Sequence, residues 1–517
     1  MLARPRTVAL LLLAGAAISA ATVLRGIDPF DEGFLLASVD RIGRGQVPYA
    51  DFTWPYGPGH PYLLAGLNDL FGRSLVAWRV VRVLCDTGVA ALVYVMARRT
   101  LPPGWALTAW LCAACAMAQP VSANPFPVAL LAGLGALALV TGPAPPRRAW
   151  AWAGLLVGIA AAWRLDFGLY AAGATGVALL LGAPGRRLAP AAGFAGVAVL
   201  TGLVAYGAFL VRVGPGDLYR ALVGDSSRER EWWTLPFPWA YHGSLRAWPP
   251  GALASDAKDV LGFYVPGLVT AGVLLCAVAC VPARRGRAIA AQAATVVLGL
   301  GALLYLLSRT DEFHANPGIV ALALALPTGA IALWTRPSRA RMLAVPMALV
   351  FGLLTLYGVA NRASAILRPL PSAPLHVDGA HGVRARPAEA RALPEVVRTV
   401  QRLVPPGQPV YAATRRSDIV RYNDPLLYVL VDRPNVLDRD VGLFARPAAQ
   451  RWIVARLRSR RPRAVIRWTD PISAQREPNL RGRPSQSRAV DSYLARAYRP
   501  VLRRGYYQVL APRDAGP

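Results

Sequence analysis

Carboxylates, arginines and a histidine gather at three places in this sequence. Asp28, Asp31 and Glu32 fall within five residues, directly after an apolar run. Arg164 and Asp166 interrupt a second apolar stretch in "WRLDFG", and Arg309, Asp311, Glu312 and His314 stand together in "SRTDEFHANP". A carboxylate can take up a proton, a guanidinium fork can steady an anion, and an imidazole can donate a hydrogen bond. Each cluster alone reads as the solvated cap of a helix. If all three share one face, they define a polar site with proton-accepting and anion-holding groups.

The elements that would position them are membrane helices. Of the 517 residues, 55% are hydrophobic and 16% charged, too apolar for an ordinary soluble protein. Apolar runs near 7–24, 74–97, 104–120, 125–141, 149–163, 165–182, 189–212, 259–281, 287–308, 317–335 and 341–360 predict about eleven spans. The first has the pattern of a signal peptide but is read as a retained anchor. The net charge of +29 raises nucleic-acid binding as an option. Basic residues in such a chain instead fix its topology, and no nucleic-acid partner is expected.

The connections sort by charge. Arg4, Arg98, Arg99, Arg147, Arg148, Arg186, Arg284 and Arg336 mark loops without Asp or Glu, whereas the three clusters fall on the alternate set. The positive-inside rule then places the N-terminus in the cytoplasm and the clusters and C-terminus outside the cell membrane. Arg79, Arg82 and Asp86 share one face of the second span, with Arg82 and Asp86 spaced as an i,i+4 pair. Such a pair either orients the helix or lines a pathway. Cys112 and Cys115 lie in an apolar span, where small-residue packing is the simpler reading than a redox or metal motif.

The first external loop, 25–73, is expected to carry two helices. "DEGFLLASVDRI" has the spacing of an amphipathic helix along the membrane surface, and "YLLAGLNDLFG" reads as a second. The aromatic stretch with Trp232, Trp233, Phe237, Trp239 and Tyr241 reads as a headgroup belt or as a surface that stacks on a sugar. Residues 1–360 form the membrane part, 361–392 a linker, and 393–517 a small external α/β domain in which two strands are expected near 417–435.

The Asp-Glu pair after the first span, the "G-x-x-P-Y-x-D-F" stretch containing Asp51, the "FG" that follows, and Arg79 in the second span resemble the GT-C superfamily of integral-membrane glycosyltransferases. The nearest likeness is to bacterial relatives of protein O-mannosyltransferases and of the lipid A aminoarabinose transferase, enzymes of the glycosyltransferase family 39 type. "R-x-D-x-G" at Arg164 and Asp166, and "R-x-D-x-x-H" at Arg309, Asp311 and His314, also look like outer-face motifs of that group. The resemblance implies a polytopic helical fold of GT-C type and an inverting transfer of a hexose or pentose. The donor would be a polyprenyl-phosphate sugar, and the acceptor a hydroxyl of a glycan, lipid or protein. It implies Asp31 as general base with Glu32 beside it. Arg309, with Arg164 and His314 in support, would hold the phosphate, and Asp311, Asp166, Asp51 and Arg79 would complete the substrate site. The second external loop, "QPVSANPF", lacks the carboxylate many relatives carry, so a divalent metal has no support in the sequence.

A transporter or flippase of a lipid-linked sugar is the competing reading. It would place polar residues at mid-membrane and show repeats or broken helices. Here the charges crowd the ends of the spans and no repeat is visible.

Overall fold

A computed structural model describes residues 4–182, 188–225, 227–228, 234–243, 250–280, 287–335, 338–367, 371–419, 423–440, 444–474, 485 and 487–514. Trp232 and Trp233 lie outside these residues.

The membrane part is a helical bundle. It comprises α1 (Pro5–Ala20), α4 (Leu75–Ala97), α5 (Pro103–Met117), α6 (Phe126–Val140), α7 (Ala149–Trp163), α8 (Leu165–Gly182), α9 (Leu188–Tyr219), α10 (Pro250–Cys280), α11 (Arg287–Ser308), α12 (Glu312–Trp334) and α13 (Ser338–Leu367). Among the described residues seven helical stretches are long and apolar enough to cross a membrane. Four shorter apolar helices, α1, α5, α6 and α7, stand where further spans are expected. Prolines open several helices at a position whose backbone donor would be unpaired anyway, as Pro5 does in α1. Side chains cap others: Ser74 accepts from the Ala77 amide of α4, and Asp311 from the His314 amide of α12. The Asp311 cap starts α12 at Glu312, five residues before the expected span. Gly214, at φ 79°, breaks α9 just ahead of Pro215, a turn that favours glycine.

The first loop folds as α2 (Asp31–Gly43) and α3 (Gly59–Phe71). One expectation fails here. α2 does not lie along a membrane surface, because Glu32 through Val39 are all buried. The C-terminal domain covers it. A Cβ on Gly33 would come within 2.3 Å of the Leu426 backbone nitrogen, so only glycine permits the approach.

That domain holds a four-stranded sheet built from β3 (Tyr411–Ala413), β4 (Val465–Trp468), β5 (Tyr498–Arg504) and β6 (Tyr507–Pro512), in the order β3-β4-β6-β5. β3 and β4 run parallel and the other pairs antiparallel. Helices α14 (Pro387–Leu403), α15 (Leu426–Val431), α16 (Pro447–Arg460) and α17 (Ala489–Ala497) complete it. The apolar run 426–431 is a helix where a strand was expected; all six residues are buried, and several pack on α2 and on the sheet. The stretch read as a linker is largely built, with a small strand pair, β1 (Ala373–Pro374) and β2 (Arg384–Ala385), before α14 begins at Pro387. Arg41 of α2 fixes the docking. Its Nε donates to Asp440 Oδ2 at 2.7 Å and its Nη2 to Asp440 Oδ1 at 3.1 Å, with the pair almost fully buried.

Candidate active site

The chain enters the site through Asp28. Its carboxylate accepts the amides of Phe30 and Asp31 at 2.9 and 3.0 Å, which sets the first turn of α2. An Asp before a proline does this readily, because its short side chain reaches its own backbone two or three residues on.

Glu32 points into the protein. Arg79 of α4 grips it through Nε–Oε1 at 2.8 Å and Nη2–Oε2 at 2.9 Å, and the same guanidinium donates to the carbonyls of Val23 and Gly26. This pair fastens the end of α1, the start of α2 and the first turns of α4 into one unit. Arg82, one turn on, pairs with Asp86 at 2.6 Å and donates to the carbonyls of Met117 and Ser122, so it holds the connection between α5 and α6.

Asp31 is placed differently. It is half-buried, and among the described residues no donor bonds its carboxylate. Burial pushes it up to about 7; the nearby Asp28 and Asp311 carboxylates add to the rise, and Arg309 and Arg82 oppose it. Asp31, from the first loop, and the Arg309–Asp311 turn, almost 280 residues later, lie within electrostatic reach of each other.

In that turn Arg309 Nε donates to Asp311 Oδ2 at 2.9 Å. Asp311 Oδ1 accepts the His314 amide at 2.8 Å and lies 2.7 Å from His314 Nδ1. Burial would raise the Asp311 carboxyl, but its bonds to His314 and the Arg309 charge outweigh that and hold it below the ordinary aspartate value. The His314 ring packs on Tyr305, centroids 4.7 Å apart.

Arg164 closes the far side. Asp166 takes its Nε and Nη2 at 3.0 and 2.7 Å. The guanidinium sits among the rings of Tyr56, Phe167 and Tyr305 at 4.8, 5.2 and 4.9 Å. Arg164 is therefore caged and neutralised, whereas Arg309 is more open, with 24% of its side chain exposed. The three clusters meet around Tyr56 and Tyr305.

Asp51 stands apart from this assembly. Its carboxylate accepts the Val47 amide at 2.8 Å and lies 3.6 Å from Arg212, with the Asp51 side chain 38% exposed. The Val47–Asp51 turn closes on itself, which aims this carboxylate at the α9 rim rather than at Asp31. Among the described residues no three His, Cys, Asp or Glu side chains are grouped to hold a metal ion.

The family described as dolichyl-phosphate-mannose-protein mannosyltransferase matches residues 55–210. That stretch contains Tyr56, Arg79, Arg164 and Asp166 and leaves Asp31 and Arg309 outside. No curated protein sequence matches the chain. Among solved structures, ArnT from Cupriavidus metallidurans bound to undecaprenyl phosphate aligns over 100% of both chains, at 15% identity and a TM-score of 0.52. The apo form aligns over 99% of both, at 15% identity and a TM-score of 0.57.

This chain has the GT-C membrane glycosyltransferase fold.

The mycobacterial arabinofuranosyltransferase AftD shares the fold, at 14% identity and a TM-score of 0.52, over 99% of this chain and 40% of its own. With that fold and its many apolar helices the chain is a multi-pass membrane protein. Sequence reasoning left three residues of this candidate site unnamed and read a fourth, Arg82, only as the partner of Asp86. Tyr56 and Tyr305 cage Arg164, and Arg82 acts on Asp31. His60, buried, lies 2.6 Å from the Ala123 carbonyl through Nε2, and burial lowers it to about 4. Tyr305 lies inside an apolar window, where nothing in the local pattern separates a site residue from core. Tyr56 and His60 were visible only as members of a turn-rich aromatic loop.

Proposed function

We propose that this protein transfers a sugar from a polyprenyl-phosphate donor to an acceptor hydroxyl at the extracytoplasmic face of the cell membrane. The observation that carries the reading is Asp31: a half-buried carboxylate without a bonded donor, raised to about 7 and within electrostatic reach of the Arg309–Asp311–His314 turn. A general base works best when its pKa lies near the working pH. Asp31 takes the proton of the acceptor hydroxyl as the acceptor oxygen bonds to the anomeric carbon. The bond from that carbon to the phosphate oxygen breaks, and the phosphate leaves with the electron pair. Arg309 steadies the charge that develops there, since its planar fork matches phosphate oxygens. A single displacement of this kind inverts the anomeric centre. Glu32 positions the helix through Arg79 and takes no proton.

The test is transfer from a panel of radiolabelled polyprenyl-phosphate sugars by membranes containing the protein. One donor is expected to lose its label to an acceptor. Asp31→Asn, which keeps the shape but cannot accept a proton, is expected to cut transfer about 10²–10⁴-fold while donor binding persists. Transfer within a few-fold of wild type in Asp31→Asn would remove Asp31 from the role. Movement of intact labelled donor across the bilayer, with no transfer, would favour the transporter reading.

A further inference from the structure

The opposite end of α4 carries a second feature that glycosyl transfer does not use. A cavity of about 210 Å³ lies between the ends of α4 and α6, the start of α11 and the middle of α12. Its polar lining includes Arg99, Thr141, Gln292 and Thr328, and Met96 and Leu324 supply apolar wall. At 1.5 Å per residue, Arg99 is about 30 Å along the chain direction from Arg79, so this is a separate site.

Arg99 is held but not neutralised. Its Nη1 donates to the Ala138 carbonyl at 3.0 Å and to Thr141 Oγ1 at 3.1 Å. Its Nε and Nη2 donate to nothing among the described residues, and no carboxylate among them pairs with it. Nor do the adjoining connections 98–103 and 141–148 supply one: they contain Arg98, Arg99, Arg147 and Arg148 and no acidic residue. The Gln292 side-chain amide, also on the cavity wall, has no partner among the described residues. A half-buried guanidinium with two free donors and no counter-charge is a ready partner for an anion.

We infer that this cavity binds a phosphate group, taken by Nε and Nη2 of Arg99 with the Gln292 amide as a further donor. The fork of an arginine suits two phosphate oxygens at once. Size narrows the ligand. The cavity is far larger than the roughly 10–15 Å³ one water needs. It is smaller than the roughly 300–1,000 Å³ of pockets that enclose a drug-sized molecule. A phosphate with its first few carbons fits. The apolar wall favours a lipid headgroup over free phosphate, and both sources share the same chemistry.

The experiment is thermal unfolding of the purified full chain in detergent, titrated with dioctanoyl phosphatidic acid, with sodium phosphate, and with dioctanoyl phosphatidylcholine as control. Phosphatidic acid is expected to stabilise saturably, and the control far less. Arg99→Gln should weaken the phosphatidic acid response at least tenfold, and Arg309→Gln should leave it in place. Gly142→Asp gives an independent check. A Cβ there meets its nearest neighbours at 3.6 Å and Arg99 Nη2 at 4.0 Å, so the side chain starts without a clash and beside the guanidinium it should compete for. This variant should fold and lose the response even if Arg99→Gln does not fold. An equal, Arg99-dependent response to sodium phosphate would assign free phosphate as the source. No saturable response to either probe, or one unchanged in Gly142→Asp, would overturn the site.

Discussion

Arg79 holds both carboxylate oxygens of Glu32, at 2.8 and 2.9 Å, and both side chains are almost completely buried. The residue beside the candidate base is thus fully engaged in structure. Arg79→Ala leaves a buried, unpaired carboxylate and should cost about 3–5 kcal/mol of stability. Replacing both partners, as Arg79→Met with Glu32→Leu, should recover part of that loss. A double-mutant cycle on unfolding midpoints in detergent measures it; additive single effects would mean that the pair is not coupled.

The pH dependence follows from Asp31. As a base it must be ionised, so transfer should rise through about pH 7 and then level off. Asp28→Asn removes a charge that raises Asp31, and its amide oxygen still caps α2, so the rising limb should move to lower pH. Stability runs the opposite way. The folded protein holds the Asp31 proton more tightly than the unfolded chain, so this group's contribution falls as pH climbs from about 4 to about 7. Asp31→Asn should therefore raise the unfolding temperature at pH 8 relative to wild type, with little difference at pH 4. A rate profile flat from pH 5 to 8 would exclude this carboxylate as the base.

Arg309 and Arg164 should separate by readout. Arg309→Ala should lose about 2–5 kcal/mol of donor binding or turnover, and Arg309→Lys should restore only part, lacking the fork. Arg164 is caged by three rings and paired with Asp166. Its replacement by Ala should show first as a lowered unfolding temperature. Near-normal donor affinity in Arg309→Ala would shift the phosphate to another arginine.

Topology is open to direct measurement. Reporter fusions after residues 100, 147, 186, 286 and 338 are expected to report cytoplasm, and those near 50, 235, 312 and 450 the outside. Outside signals at two of the basic loops would reverse the proposed sidedness.

Hydropathy made the helical bundle legible because a span must satisfy its own backbone and present apolar side chains to lipid. Charge made the three clusters visible as candidates. What brings Asp31 to Arg309, or Tyr305 to Arg164, is packing between helices far apart in sequence, and no local pattern encodes it. The same cause explains the errors. α2 has the spacing of a surface helix, yet the side chains that cover it belong to residues 426–440. The run at 426–431 contains Tyr428, Val429 and Val431, residue types that favour strands, and burial on every side makes it a helix.

The clamp between Arg41 and Asp440 spans 399 residues of chain. At a ribosomal pace of 5–20 residues per second, about 20–80 s pass between synthesis of one partner and the other. During that interval α2 has no cover. Burial of α2 is therefore a late event in biosynthesis: a chain arrested before its last domain would be inserted in the bilayer yet exposed in its first loop to quality-control proteases.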